Sequence, residues 1–212
     1  VMPVLERLGP LRIPISVDTY RAETARRALD LGACMVNDIT ALRGDPAMAE
    51  VVAEAAGAEA AGAEAGCACV LMHMRGTPRT MQDEPKYEDV VDDICAFFEE
   101  RIEFAVHRGI PESSLWLDPG FGFGKTVAHN LEILRRLAEF KRFGLPVLIG
   151  TSNKSTIGTI LNAPPDDRTE GTAATIAIAI RNGADAIRAH DVRTMARVAR
   201  MSDAIMGRGH YG

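Results

Sequence analysis

Asp118-Pro119-Gly120-Phe121-Gly122-Phe123-Gly124-Lys125 sets a carboxylate ahead of glycines at alternate positions. Such glycines let the backbone approach a ligand or take positive φ. A carboxylate placed there can accept two hydrogen bonds from a flat amide-like or guanidine-like heterocycle. The stretch is not a phosphate loop, because Gly-x-x-x-x-Gly-Lys-Ser/Thr fits Pro119–Thr126 only with proline at the first glycine. A tight loop capped by Asp118 accounts for the same residues, and both readings stand. In Gly150-Thr151-Ser152-Asn153-Lys154-Ser155, a helix starting near Ser155 would offer N–H groups and hydroxyls to a carboxylate. Lys154 can reach a carbonyl or ring nitrogen, while the plainer role for Ser155 is an N-cap. Arg188 and His190 are two apart in an extended segment, so they share a side and can grip a phosphate. The plainer alternative is a surface pair of Arg188 with Asp191. Asp18 and Asn37 taken singly read as helix caps, and His73, Arg75 and Arg79 as solvated charge in a polar loop.

These residues need elements to hold them. Strands are predicted over Ile13–Val17, Cys34–Val36, Cys67–Met72, Leu115–Leu117, Pro146–Ile149 and Ala184–Ile187. Helices are predicted over Tyr20–Leu31, from Asp45, over Tyr87–Arg108, Leu131–Phe140, Thr169–Arg181 and Val192–Met201, with a short one from Ser155. Strand–helix alternation at this spacing implies parallel strands with right-handed crossovers. Each strand leads into a polar or Gly-rich end at Asp18, Asn37, His73, Asp118, Thr151 or Arg188. Polar groups at many strand ends mark the active face of a TIM barrel; a doubly wound sheet would gather them at one switch point. The fold class is therefore α/β, a TIM (β/α)8-type barrel with about six of eight βα units in this chain. Residues 1–212 read as a single barrel domain lacking two N-terminal βα units. Met2–Gly9 looks like the end of a helix.

The balance of 24 Lys+Arg against 29 Asp+Glu leaves a net charge of −5, which opposes a nucleic-acid partner. Hydrophobic residues at 47% suffice for a globular core, and no apolar run reaches membrane-spanning length. Cys34, Cys67, Cys69 and Cys95 lack zinc spacing and read as reduced thiols of a cytoplasmic protein; Cys34 and Met35 are expected in the core. The Ala/Glu/Gly repeat over residues 53–66 is expected to be an insertion protruding away from the site.

Together the stretches Pro14–Thr19, Val36–Ile39, Leu71–Pro78, Leu117–Lys125, Thr151–Ser155 and Ile187–Val192 resemble the dihydropteroate synthases of folate biosynthesis. The resemblance covers nearly the whole chain in order. It implies condensation of 6-hydroxymethyl-7,8-dihydropterin pyrophosphate with p-aminobenzoate, with Mg²⁺ as cofactor and a homodimer as the assembly. By position, Asp18, Asn37, Asp118 and Lys154 would bind the pterin, with Ile39 and Met72 lining its slot. Phe123, Lys154 and Ser155 would meet p-aminobenzoate, and Arg188 and His190 the pyrophosphate. Asp18 and Lys154 would be catalytic. The family's metal-serving Asn belongs to an upstream unit, so no metal ligand is assigned here. Asn153 stands where the family usually has Arg. Absence of the family's first two βα units would leave open sheet edges, so poor stability and weak or no turnover are expected from this chain by itself. The competing expectations are the pterin-binding domain of a folate- or corrinoid-dependent methyltransferase, and a non-catalytic truncated pterin-binding protein.

Overall fold

The computed structural model describes residues 1–8, 13–57, 66–76 and 85–208. They fall into two compact units, Val1–His73 with Cys95–Leu117, and Met74–Ile94 with Asp118–Gly212. Most of the repeat and Arg79 lie outside the described residues.

In the first unit, β1 (Ser16–Asp18), β2 (Met35–Asp38), β3 (Ala68–Met72) and β4 (Leu115–Asp118) form one sheet in that order. β1 pairs parallel to β2 with Asp18 opposite Asn37, and β2 parallel to β3 with Asp38 opposite Leu71. β1 is shorter than predicted; Pro14, just ahead of it, has no N–H to give a ladder. Helix α1 (Met2–Leu8) opens the chain as expected. In α2 (Ala22–Asp30) the buried residues are Ala22, Ala25 and Ala28, a stripe at three-residue spacing that leaves the arginines outward. Gly32, at φ +92°, turns the chain out of that helix. α3 (Met48–Gly57) starts three residues past Asp45, which caps the turn leading into it and is shared with α2. The Asp45 carboxylate accepts from the Ala47 amide at 3.0 Å and from the Ala22 amide, at the start of α2, at 2.9 Å. Cys67, Cys69 and Cys95 are buried; Cys34 and Met35 are only half-buried, at the sheet's margin rather than in the core.

Asp38 organises the loop after β2. It is fully buried, and its carboxylate accepts from Thr40 N at 2.8 Å, Thr40 Oγ1 at 2.7 Å and Leu42 N at 2.9 Å. Those bonds hold Ala41 and Leu42 at φ +51° and +64°, a left-handed pair that non-glycine residues seldom adopt. Arg101, from α4 (Val90–His107), donates through Nε to Ala41 O at 3.0 Å. Asp38→Ala orphans the buried Leu42 amide and the half-buried Thr40 amide and is expected to cost about 3 kcal/mol, read as a lowered urea midpoint with an unchanged m-value.

In the second unit, β5 (Leu148–Ile149) and β6 (Ala186–Ile187) pair parallel, Ile149 opposite Ile187. Asp185 secures their entry by accepting from Val147 N at 2.7 Å and Lys141 Nζ at 2.6 Å. α7 (Thr169–Arg181) matches its predicted bounds and packs on α8 (Val192–Ile205) around Ile176, Ile180 and Met195. The helix expected over Leu131–Phe140 is instead α5 (Val127–Arg135) followed by a 3-10 segment, Leu137–Phe143. A Thr126–His129 capping box starts it early, and Asn182 Nδ2 takes the Leu134 carbonyl at 2.7 Å. α6 (Ser155–Leu161) is the short helix predicted from Ser155.

Candidate active site

The first unit supplies Asp18 and Asn37 at neighbouring strand ends, where Asn37 Nδ2 donates to Asp18 Oδ1. Neither acts as a helix cap. Asn37 Oδ1 is buried without a hydrogen-bond partner among the described residues. An orphaned buried carbonyl oxygen is costly unless a ligand N–H completes it. Met72 is buried at the end of β3, and Ile39 half-buried just beyond β2. His73 is not solvated charge: it is buried edge-on against Phe97, with ring centroids 4.9 Å apart. Arg75, in the second unit, is exposed and lies over the Tyr87 ring at 4.9 Å.

In the second unit Asp118 is buried at the end of β4, where one oxygen accepts from Gly120 N at 2.7 Å. Burial pushes its carboxyl up to about 6, against the opposing pull of Lys125, Lys154 and Arg188. Lys125 is itself buried, which draws its ammonium down to about 7, and Nζ donates to Phe123 O at 3.0 Å. The reading of the sequence gave Lys125 no role; its place in the glycine run, seven residues past Asp118, was the available signal. Lys154 is half-buried, and burial lowers its pKa too. Its Nζ stands 4.1 Å from the centroid of the half-buried Phe123 ring.

Two glycines permit this packing. A Cβ on Gly122, at φ +83°, would sit 3.1 Å from Lys154 Cδ. One on Gly124, at φ +63°, would sit 2.9 Å from the Arg75 carbonyl oxygen. Tyr87 OH donates to Gly124 O at 2.7 Å. Ser155 is exposed in the first turn of α6 and is not its N-cap. That position belongs to Lys154, whose side chain caps nothing, so the Ser155 hydroxyl remains for a ligand.

Arg188 and His190 are both exposed beyond β6. Asp191 is not spent on a pair with Arg188: its carboxylate accepts from Thr194 N at 3.0 Å and caps α8. The buried Ser152 hydroxyl accepts from the His190 amide at 3.2 Å and lies 2.9 Å from Nδ1. Having accepted one proton, it can donate its own to Nδ1. That assignment leaves the ring proton on Nε2 as a donor for an anion. Asn153 adopts φ +57°, a left-handed conformation asparagine tolerates, and its carbonyl accepts from Arg168 Nη1 at 2.8 Å.

Each unit thus sets polar side chains at or just past the ends of parallel strands, acceptors at Asp18, Asn37 and Asp118 and cations at Lys154 and Arg188, the pattern of an α/β enzyme of parallel βα units. Residues 1–190 match the family described as pterin binding enzyme. The chain is 44% identical over 206 residues to a dihydropteroate synthase of Synechocystis, covering 96% of this chain and 68% of the relative. The dihydropteroate synthase of Yersinia pestis, solved in a sulfonamide drug complex, superposes with TM-score 0.89 at 39% identity, over 98% of this chain and 72% of that one. The Xanthomonas albilineans enzyme solved with 4-aminobenzoic acid gives 0.87 at 37%, over 99% and 71%. The chain belongs to the pterin-binding enzymes and, among them, to the dihydropteroate synthases, transferases of folate biosynthesis. Those matches bear out the α/β barrel class expected from the strand ends.

Proposed function

We propose that this chain joins the amine nitrogen of p-aminobenzoate to the exocyclic methylene carbon of 6-hydroxymethyl-7,8-dihydropterin pyrophosphate. The C–N bond forms as the C–O bond to pyrophosphate breaks, and the amine gives up a proton. The observation that carries this reading is Asp118, a buried acceptor beside Lys125, Lys154 and Arg188. Asp118 receives the pterin's two adjacent N–H donors, and Lys154 donates to its carbonyl and ring-nitrogen side. Asn37 offers its orphaned oxygen, Met72 and Ile39 supply apolar walls, and Asp18 stabilises the electron-deficient methylene in the transition state. The aromatic ring of p-aminobenzoate lies along Phe123 and Lys154, with its carboxylate at Ser155. Arg188 and His190 Nε2 hold the departing pyrophosphate.

Mg²⁺ is the proposed cofactor. Among the described residues no group of three or more His, Cys, Asp or Glu side chains could hold a metal. No described residue is proposed to hold it. When bound, it offsets charge on the leaving group. A single domain over residues 1–212, with the repeat at 53–66 as an insertion, belongs to the same proposal. It is supported by a family match that runs through both units. A homodimer is proposed as well, supported by exposed Val192, Met201 and Ile205 along α8, and a cytoplasmic site of action, supported by four free thiols. No described helix is long and apolar enough to cross a membrane.

The test is p-aminobenzoate-dependent pyrophosphate release with Mg²⁺. Arg188→Met is expected to raise KM for the pterin pyrophosphate roughly 10- to 100-fold, the loss of one charge-assisted contact, while affinity for the unphosphorylated pterin stays within about two-fold. Equal losses for both pterins would remove Arg188 from the pyrophosphate site, and no release from the wild-type chain would overturn turnover by this chain itself, the outcome expected if the upstream βα units are required.

A further inference from the structure

Asn130 lies inside α5, where asparagine is a poor helix former, and is 1% exposed. Its Oδ1 accepts from Gly122 N at 2.8 Å, and its Nδ2 donates to Thr156 Oγ1 at 2.8 Å; Thr156 is buried as well. The amide orientation follows from chemistry: a backbone N–H can only donate, so the oxygen must face Gly122. One side chain therefore ties the glycine-rich loop to the first turn of α6. The tie meets the loop beside Phe123 and meets α6 two residues past Lys154, the two groups that stand 4.1 Å apart across the ring face.

We propose that Asn130 is a positioning residue that fixes the Phe123–Lys154 gap and so sets selectivity for the aromatic amine substrate. This rests on the reading of Phe123 and Lys154 as the p-aminobenzoate subsite. Asp118 has its own anchor in Gly120 N and the end of β4, so the pterin acceptor does not depend on the tie. Loosening it widens the gap and leaves the carboxylate in place.

Thr156→Val keeps the volume and removes the hydroxyl that receives Nδ2, and Thr156→Ser restores it. Asn130→Ala removes both bonds, but its buried site makes folding a separate matter, so the Thr156 pair carries the test. In Thr156→Val the KM for p-aminobenzoate is expected to rise about five-fold, with the KM for the pterin pyrophosphate within two-fold and near-wild-type values in Thr156→Ser. Hydrogen exchange supplies a readout that needs no turnover. Peptides covering 119–125 should exchange about five-fold faster in Thr156→Val, with those from α8 unchanged. Equal rises in both KM values, or unchanged exchange over 119–125, overturn the proposal. A wild-type chain that releases no pyrophosphate overturns turnover by this chain itself instead, and exchange still decides the role of Asn130.

Discussion

Asp118→Asn is expected to lower kcat/KM for the pterin pyrophosphate by about 10²- to 10⁴-fold. In the proposed site the carboxylate would accept from two donors on one heterocycle edge, and each charge-assisted bond contributes on the order of 1.5–3 kcal/mol. Asparagine keeps one acceptor and turns an NH₂ toward the second donor, which replaces an attraction with a clash. The pH profile identifies the group. With the carboxyl near 6, kcat/KM should fall as pH drops through about 6, because the protonated form loses an acceptor. That limb should vanish in Asp118→Asn. Stability runs the other way. The folded value lies above the usual 3.8, so the folded state binds the proton more tightly than the unfolded chain. The stabilisation, on the order of 3 kcal/mol, is fully present below about pH 4 and is lost as pH rises through about 6. Thermal melts of the wild type should therefore show a contribution over pH 4–6 that Asp118→Asn lacks. A variant retaining the acidic limb in its rate profile would assign that limb to another group.

Lys154→Met is expected to cost about 10²- to 10³-fold in kcat/KM for both substrates, because the ammonium that lies over the Phe123 ring would, in the proposed site, also serve the pterin edge. Its second signature is electrostatic. Lys154 is one of the three cations that lower the Asp118 carboxyl, so removing it should move the acidic limb to higher pH. Lys154→Arg keeps the charge and should hold the limb near its original position. It should still lose much of the rate, since a broad planar guanidinium does not reproduce the compact ammonium that stands 4.1 Å from the Phe123 ring centroid. Full activity in Lys154→Arg would mean that charge alone is required.

The residues at strand ends were legible because their chemistry is local. Asp18, Asn37, Asp118 and Arg188 each follow an apolar run, with Lys154 and His190 a few residues past one, and the alternation of those runs with helices revealed the parallel architecture. What hid was the support. Asp38 reads as part of an Asn-Asp pair, yet its work is to bind Thr40 and Leu42 while Arg101, sixty positions on, takes the carbonyl of Ala41. Asn130 faces Thr156 across 26 positions, and spacing along a chain cannot announce such a meeting. His73 illustrates the same limit: its burial depends on Phe97 from a distant helix. Boundaries shifted where one side chain served two elements, as Asp45 does for α2 and α3. Ser155 lost its expected capping role because the helix begins one residue earlier than that role requires, which puts Lys154 at the cap.

The closeness of Gly122 to the Lys154 stem and of Gly124 to the Arg75 carbonyl constrains how this site can diverge. Any Cβ at either position meets both an unfavourable φ and a crowded neighbour, so substitution there is strained. Phe123 between them is half-buried and Ser155 is exposed, and neither is pinned by backbone geometry. Descendants of this chain that come to accept a bulkier or narrower aromatic amine will therefore carry their changes at 123 and 155, with the glycines on either side of Phe123 unaltered.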